Sequence, residues 1–352
     1  MNCFDFVRPA TIAEAIAAAA EPGAAYLAAG TNLIDLMKIG ASRPQRLVDV
    51  TRLPGLDGIE WLADGGLRIG AMVRNADLAY DQRFARIFPA VAEALLSGAS
   101  AQLRNVATVG GNLMQRTRCA YFHDTASACN RRQPGSGCDA LHGENRLQAV
   151  LGWSEHCIAT HPSDFCVPLV ALDAVVEVEG PDGRREVLLE DLHNLPGDTP
   201  EKETALAPGD LIVGLRLPAE AASFAANARY LKLRERMSYA FAVVSAAAAL
   251  RIEDGVIREA RLALGAVAPK PWRAKAAEAA LAGTAPTAEN FAKAAGIALG
   301  EARPSGDNTF KIELARRIVV RALTLASEGT PAVMPALPAS PFSTHPETQH
   351  VA

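Results

Sequence analysis

Four of the chain's six cysteines fall within 39 residues, between Cys119 and Cys157. They lie in a stretch, roughly residues 100–165, that is rich in Gly, Ser, Asn and Arg and shows little hydrophobic periodicity. A connector of that length without elements of its own is rare inside a compact domain. It is functional, or it is held by something other than a core. Disulfide scaffolds are short and cysteine-dense, and six cysteines in 352 residues fit neither description. The clustering therefore points to metal or redox chemistry. Cys3, at the terminus, and Cys166, in the apolar run FCVPLVALDAVV, read as packed thiols outside the cluster.

Nine, eight and eighteen residues separate Cys119, Cys129, Cys138 and Cys157. Neither the paired CxxC of a zinc ribbon nor the ferredoxin run is present, so spacing leaves a four-cysteine metal site and four unligated thiols both open. Two features favour metal. The loop is polar and needs a staple, and it carries Arg116, Arg118, Arg131 and Arg132. Guanidinium groups stabilise an anionic tetrathiolate iron–sulfur cluster. Zinc is the second candidate. His123, His142, His156 and His161 could each replace a thiolate, but four thiolates already complete a site.

The rest of the chain is ordinary by composition, with 49% hydrophobic and 21% charged residues, and long enough for two or three domains. A net charge of −4 without a basic block argues against nucleic acid. The longest apolar run, near Tyr239 to Leu250, is about half a membrane span. The N-terminus lacks the apolar core of a signal peptide. The expected location is cytoplasmic, or periplasmic by co-export with a signal-bearing partner.

Residues 1–56 read as alternating α/β: a helix at 11–20 capped by Thr11, a strand at 24–30, a helix at 31–40 ending at Gly40 and a strand at 46–50. Pro54-Gly55 marks a boundary. Residues 57–222 begin with a hairpin over 58–73 and a helical stretch over 75–99, broken near Pro89. The cysteine-rich insertion follows at about 115–160, then a second hairpin turning at 181–183 and a strand at 209–218. Residues 223–328 read as three strands, the last two joined at Asp254-Gly255, then helices at 272–282, 287–301 and 308–328. Strands followed by helices indicate a separate α+β domain. The proline-rich tail, 329–352, is expected to be extended or wrapped on a partner.

Two glycine loops carry further chemistry, LAAGTNLID (27–35) and NVATVGGNLMQ (105–115). Glycines let a backbone approach a phosphate, and free N–H groups make an anion nest. One such loop reads equally as a turn; two of similar make-up could clasp a pyrophosphate from both sides. No GxGxxG or Walker lysine is present, so this is neither a Rossmann nor a P-loop site. In CIATHPSDF (157–165), Ser163 or Asp164 is either a helix cap or an anchor for a ribityl or ribose hydroxyl.

Taken together, LAAGTNL, ATVGGNL, PSD and YLKLRERMSYAFAVVSAA resemble the FAD-binding subunits of the molybdenum hydroxylases, the xanthine dehydrogenase family, over residues 1–328. The stretches QRTRC-x-YF, CN-x-R, PGSGC and CIATHPSD resemble the aldehyde oxidoreductase branch most, and more loosely the flavin subunit of 4-hydroxybenzoyl-CoA reductase. The resemblance implies an α+β fold: a two-subdomain PCMH-type FAD-binding domain, then an α+β C-terminal flavoprotein domain. It implies non-covalent FAD, since residues 26–35 and 107–113 contain no His or Cys. The implied flavin contacts are Tyr26, Leu27, Ala28, Ala29, Gly30, Thr31, Asn32, Leu33 and Ile34 from the first loop. Thr108, Gly110, Gly111 and Asn112 follow from the second, with Asp164, Ile212 and Lys232 elsewhere. Ala29 replaces a family glycine and is expected in an ordinary backbone conformation. The resemblance makes Cys119, Cys129, Cys138 and Cys157 the ligands of an extra [4Fe-4S] cluster. It implies an electron-transfer subunit with no catalytic residue of its own. The implied partners are a small [2Fe-2S] subunit, a large molybdenum-cofactor subunit and an external electron acceptor. A self-sufficient FAD reductase and a zinc-stapled scaffold subunit are the alternatives.

Overall fold

The computed structural model describes residues 1–332 and contains three sheets, each with its own module. In the first, β1 (Asp5–Val7), β2 (Ala24–Leu27) and β3 (Arg46–Asp49) run parallel in the order β1-β3-β2. Parallel neighbours need crossovers, supplied by helices Ile12–Ala19 and Leu33–Lys38. Thr11 caps the first helix by accepting from the Glu14 N–H. β1 is absent from the expectations above because three edge residues are too few to show a period.

The second sheet holds β4 (Ile59–Trp61), β5 (Leu67–Gly70), β6 (Val175–Gly180), β7 (Gly183–Leu188) and β8 (Leu211–Leu217), antiparallel in the order β4-β5-β8-β6-β7. Between β5 and β6 the chain leaves the sheet for about a hundred residues. That excursion contains helices Asn75–Tyr80, Gln82–Ile87 and Pro89–Ser97, the cysteine segment and helix Cys166–Ala171. Leu211 and Val213 of β8 pack against Ala15, Ile16, Ala19 and Val48, which joins the first two modules.

The third sheet is β12-β11-β10-β9, antiparallel, from β9 (Ala228–Leu233), β10 (Val244–Glu253), β11 (Val256–Gly265) and β12 (Trp272–Arg273). Asp254 and Gly255 join β10 to β11 with φ of 52° and 73°, the two positive values that a tight hairpin turn requires. β10 is rich in alanine, a poor strand former. It is nonetheless buried on both faces. Ala247 and Ala249 share a core with helices Pro89–Ser97 and Cys166–Ala171. Ala246, Ala248 and Leu250 face helices Lys275–Leu281, Ala288–Ala298 and Thr309–Ser327. Small side chains let both layers close on one strand.

Two expectations change. The helix expected from 272 begins at Lys275, because Trp272 and Arg273 pair with Leu264 and Ala263. Arg273 also donates to the Val170 carbonyl and to Asp173 and Glu278, which fixes it beside the sheet. The tail lies outside the described residues beyond 332. No helix among the described residues is long and apolar enough to cross a membrane.

The third module also holds the end of the cysteine segment. Lys311 is fully buried, and its Nζ donates to the carbonyls of Leu147, Gln148 and Ala266, each at 2.8 Å. Burial lowers its pKa to about 7, while three carbonyl dipoles favour the ammonium. Asn308, equally buried, donates to the carbonyls of Gln148 and Ala149. Residues 147–149 are therefore anchored to a helix more than 150 positions away.

Candidate functional site

The three modules meet at a cleft of about 680 Å³, a size suited to a cofactor. Thr31, Asn32, Gly111, Asn112, Asp164 and Lys232 line it, together with residues that the sequence did not single out, such as Asn75, Arg104 and Gln148. Four buried polar atoms on its walls have no protein partner: Asn32 Nδ2, Asn75 Oδ1, Arg104 Nε and Arg118 Nε. Buried polar atoms are normally paired, so this wall suits a polar ligand.

The first loop leaves β2 at Leu27 and reaches the cleft at Thr31 and Asn32. Tyr26 to Ile34 are all half-buried. Gly30 has φ +75°, and a Cβ there would stand 2.5 Å from the Ile34 side chain, so the turn requires glycine. Ala29 does not take positive φ. The N–H groups of Ala29 to Asn32 donate to no protein acceptor among the described residues. Ala28 leads into this turn, Leu33 and Ile34 open the next helix, and the Tyr26 hydroxyl donates to the Gly209 carbonyl at 2.7 Å.

The second loop is built differently. Thr108 caps helix Val109–Leu113 by accepting from Gly111 N–H. Gly110 sits against Ala71, whose Cβ an added methyl would meet at 3.0 Å. The N–H groups of Val109, Gly110 and Asn112 go to the carbonyls of Val73, Ala71 and Thr108. The expected nest of free N–H groups is thus found in the first loop and not in the second. Gly111 and Asn112 instead present a small surface to the cleft.

Ser163, not Asp164, bonds the start of helix Cys166–Ala171: its Oγ accepts from Cys166 N–H at 3.2 Å and donates to Asn112 Oδ1 at 2.8 Å. Asp164 accepts from Lys232 Nζ at 2.7 Å and from the Tyr230 hydroxyl at 2.5 Å. Burial and the neighbouring Asp164 hold the Tyr230 pKa well above 10, so the phenol stays the donor. Lys232 also donates to the Ser97 carbonyl at 3.1 Å. Ile212, within β8, is buried in the core and does not line the cleft.

The four cysteines line a second, much smaller pocket together with Thr117, Phe122 and Arg131. None is in a disulfide. Cys129 pairs with Cys138 through a backbone bridge, which brings those two sulfurs to one wall. Burial, then the neighbouring Cys157, pushes the Cys138 thiol up to about 11. The Cys119 thiol is raised by burial and by Cys157 and Cys129. All four thiols line this one pocket, and four thiolates are the donor set of an iron–sulfur cluster as well as of a structural zinc site. Cys119 lines both this pocket and the cleft, and Gln148 Nε2 donates to its sulfur at 3.4 Å.

Of the four histidines in the segment, His156 borders the thiol pocket and His123 bonds the Thr117 carbonyl. His142 is exposed. His161 is buried, with Nε2 3.2 Å from His193 Nε2. His161, His193 and Cys166 have ligand atoms within 4.8 Å of one another. However, His161 Nδ1 accepts a backbone N–H and His193 Nδ1 has no partner. His193 Nε2 also faces the Leu113 carbonyl at 2.9 Å, so the two rings are tied to each other and to the backbone. Burial lowers the His193 pKa to about 4 and the His161 pKa in the same direction.

The unfolded chain therefore binds these protons first, near pH 6.5. Stability should fall as pH drops from 6.5 towards 4, by about 3 kcal/mol for His193, and level off below that. Urea midpoints measured across this range should change less in His193→Gln than in the parent.

A parallel module, an antiparallel module and a strand–helix module around one polar cleft of cofactor size make a cofactor-binding architecture. Residues 2–220 match the family described as the FAD binding domain in molybdopterin dehydrogenase, and residues 229–326 the CO dehydrogenase flavoprotein C-terminal domain. The chain belongs to this family of FAD-binding subunits of molybdenum hydroxylases. It is 50% identical over 328 residues to the aldehyde oxidoreductase FAD-binding subunit PaoB of Escherichia coli (strain K12), covering 93% of this chain and 99% of that one. It is 28% identical over 333 residues to the carbon monoxide dehydrogenase medium chain of Hydrogenophaga pseudoflava, covering 92% of this chain and 96% of that one. A solved structure of carbon monoxide dehydrogenase from that organism superposes with a TM-score of 0.73 at 28% identity, covering 93% of this chain and 98% of that one.

Proposed function

We propose that this chain is the FAD- and [4Fe-4S]-containing electron-transfer subunit of a heterotrimeric, molybdenum-dependent aldehyde oxidoreductase. The observation that carries the reading is the pair of adjoining sites, a polar cleft and a four-cysteine pocket that share Cys119. The 50% identity to an aldehyde oxidoreductase subunit supports the aldehyde over other substrates. The partners are a small [2Fe-2S] subunit and a large molybdenum-cofactor subunit. When bound, the flavin and the cluster supply one-electron chemistry that takes electrons from the [2Fe-2S] subunit to an external acceptor. This chain's residues position and insulate. Thr31, Asn32 and Asn112 line the cleft and would meet the cofactor's polar parts, and Asp164 and Lys232 set a fixed dipole on the cleft wall. Cys119, Cys129, Cys138 and Cys157 would hold the cluster, the buried Cys129 and Cys157 on its inner side and the half-buried Cys119 and Cys138 nearer solvent.

Elemental analysis and a visible spectrum of the purified chain test this. One FAD and about four irons per chain are expected. Zinc in place of iron would refute the cluster, and a colourless protein would refute the whole reading.

A further inference from the structure

Glu203 lies in the loop between β7 and β8, far in sequence from both sites. Its carboxylate is divided between two arginines. Oε1 accepts from Arg116 Nε at 2.6 Å and also from Arg116 Nη2, and Oε2 accepts from Arg131 Nη1 at 2.9 Å. The loop that carries it is fixed by a His193–Thr204 bridge and by Asn194 N–H donating to the Glu203 carbonyl at 3.0 Å.

Each arginine leads to a different site. The backbone N–H of Arg116, the residue whose side chain Glu203 holds, donates to Asn32 Oδ1 at 3.0 Å, and Asn32 lines the flavin cleft. Arg131 is 7% exposed and lines the thiol pocket beside Cys157. Its Nε–H has no protein partner, which is costly for a buried donor unless a ligand accepts from it. Two guanidinium groups sharing one carboxylate leave net positive charge beside the thiolates, which favours an anionic cluster.

We propose that Glu203 is a positioning residue for both cofactors, holding Arg131 at the Cys157 side of the cluster pocket and Arg116 at the Asn32 loop of the flavin cleft. The proposal rests on the cluster reading above. Glu203→Gln tests it in the full chain, with two readouts that a merely structural residue would not move together. One is the midpoint potential of the iron–sulfur signal in an EPR-monitored redox titration. The other is the FAD dissociation constant of flavin-stripped, reconstituted protein.

The expected results are a higher cluster potential, since an anion beside the thiolates is lost, and FAD binding weakened about tenfold, the scale of one charge-assisted hydrogen bond. Glu203→Asp keeps the charge, and its potential should lie nearer the parent's. A shift in one readout alone would overturn the proposal, as would a lower unfolding midpoint with both readouts unchanged. Iron-free parent protein would instead overturn the cluster reading, before any variant is made.

Discussion

Asp164→Ala should unfold at a markedly lower urea concentration than the parent and should bind FAD poorly. Asp164 and the Lys232 side chain are 8% and 4% exposed and 2.7 Å apart. Removing the carboxylate leaves a buried ammonium with the Ser97 carbonyl alone, and leaves the Tyr230 hydroxyl without its acceptor. Breaking a buried pair from one side costs about 3–5 kcal/mol, because the remaining charge is uncompensated. The same residues line the cleft, so the damage falls on the cofactor wall as well. The double variant Asp164→Ala, Lys232→Met separates the two effects. It removes both charges and should recover most of the stability. FAD binding should stay weak, because the wall has still lost its polar groups. Urea unfolding and FAD titration of the stripped protein measure the two quantities independently. A single-variant cost below about 1 kcal/mol would mean that this wall is solvated, as exposed pairs are.

The sequence made the modules legible where local chemistry decides structure. Thr11, Gly40, the Asp254-Gly255 turn and the helix expected at 308–328 each depend on residues close to them in the chain. The Asp164–Lys232 pair was legible only as two separate candidates, since their positions are 68 apart. Glu203 had no motif at all; its role comes from two arginines 72 and 87 positions away. The second glycine loop was misread as a nest because backbone partners across the fold, Ala71 and Val73, take its N–H groups. Motif spacing reports which residues are near each other along the chain. It does not report which donors a neighbouring strand will occupy.

Cys129→Ser is the variant expected to change the protein most at the second site, and the reason is how little else holds that segment. The apolar cluster beneath it consists of Leu36, Ala41, Phe122 and Cys129, with Cys119 packed against it. At roughly 25 cal/mol per Å² so small a cluster cannot offset the ordering entropy of some forty polar residues. Side-chain bonds add to it, Asn130 to the His156 carbonyl and Gln148 to Cys119 among them, but net gains near 1 kcal/mol each are modest. Metal binding supplies folding free energy directly, so losing a ligand should release both the iron and the order. Iron content should fall to near zero, and limited proteolysis should cut between 118 and 160 at sites protected in the parent. FAD should remain bound but less tightly, because Cys119 and Gln148 stand on the cleft wall while the glycine turns themselves pack on Ile34 and Ala71 and not on the cysteines. Unchanged iron would remove Cys129 from the ligand set. Iron loss without new cleavage would show that the arginine–Glu203 links and the Lys311 anchor are enough to hold the segment by themselves.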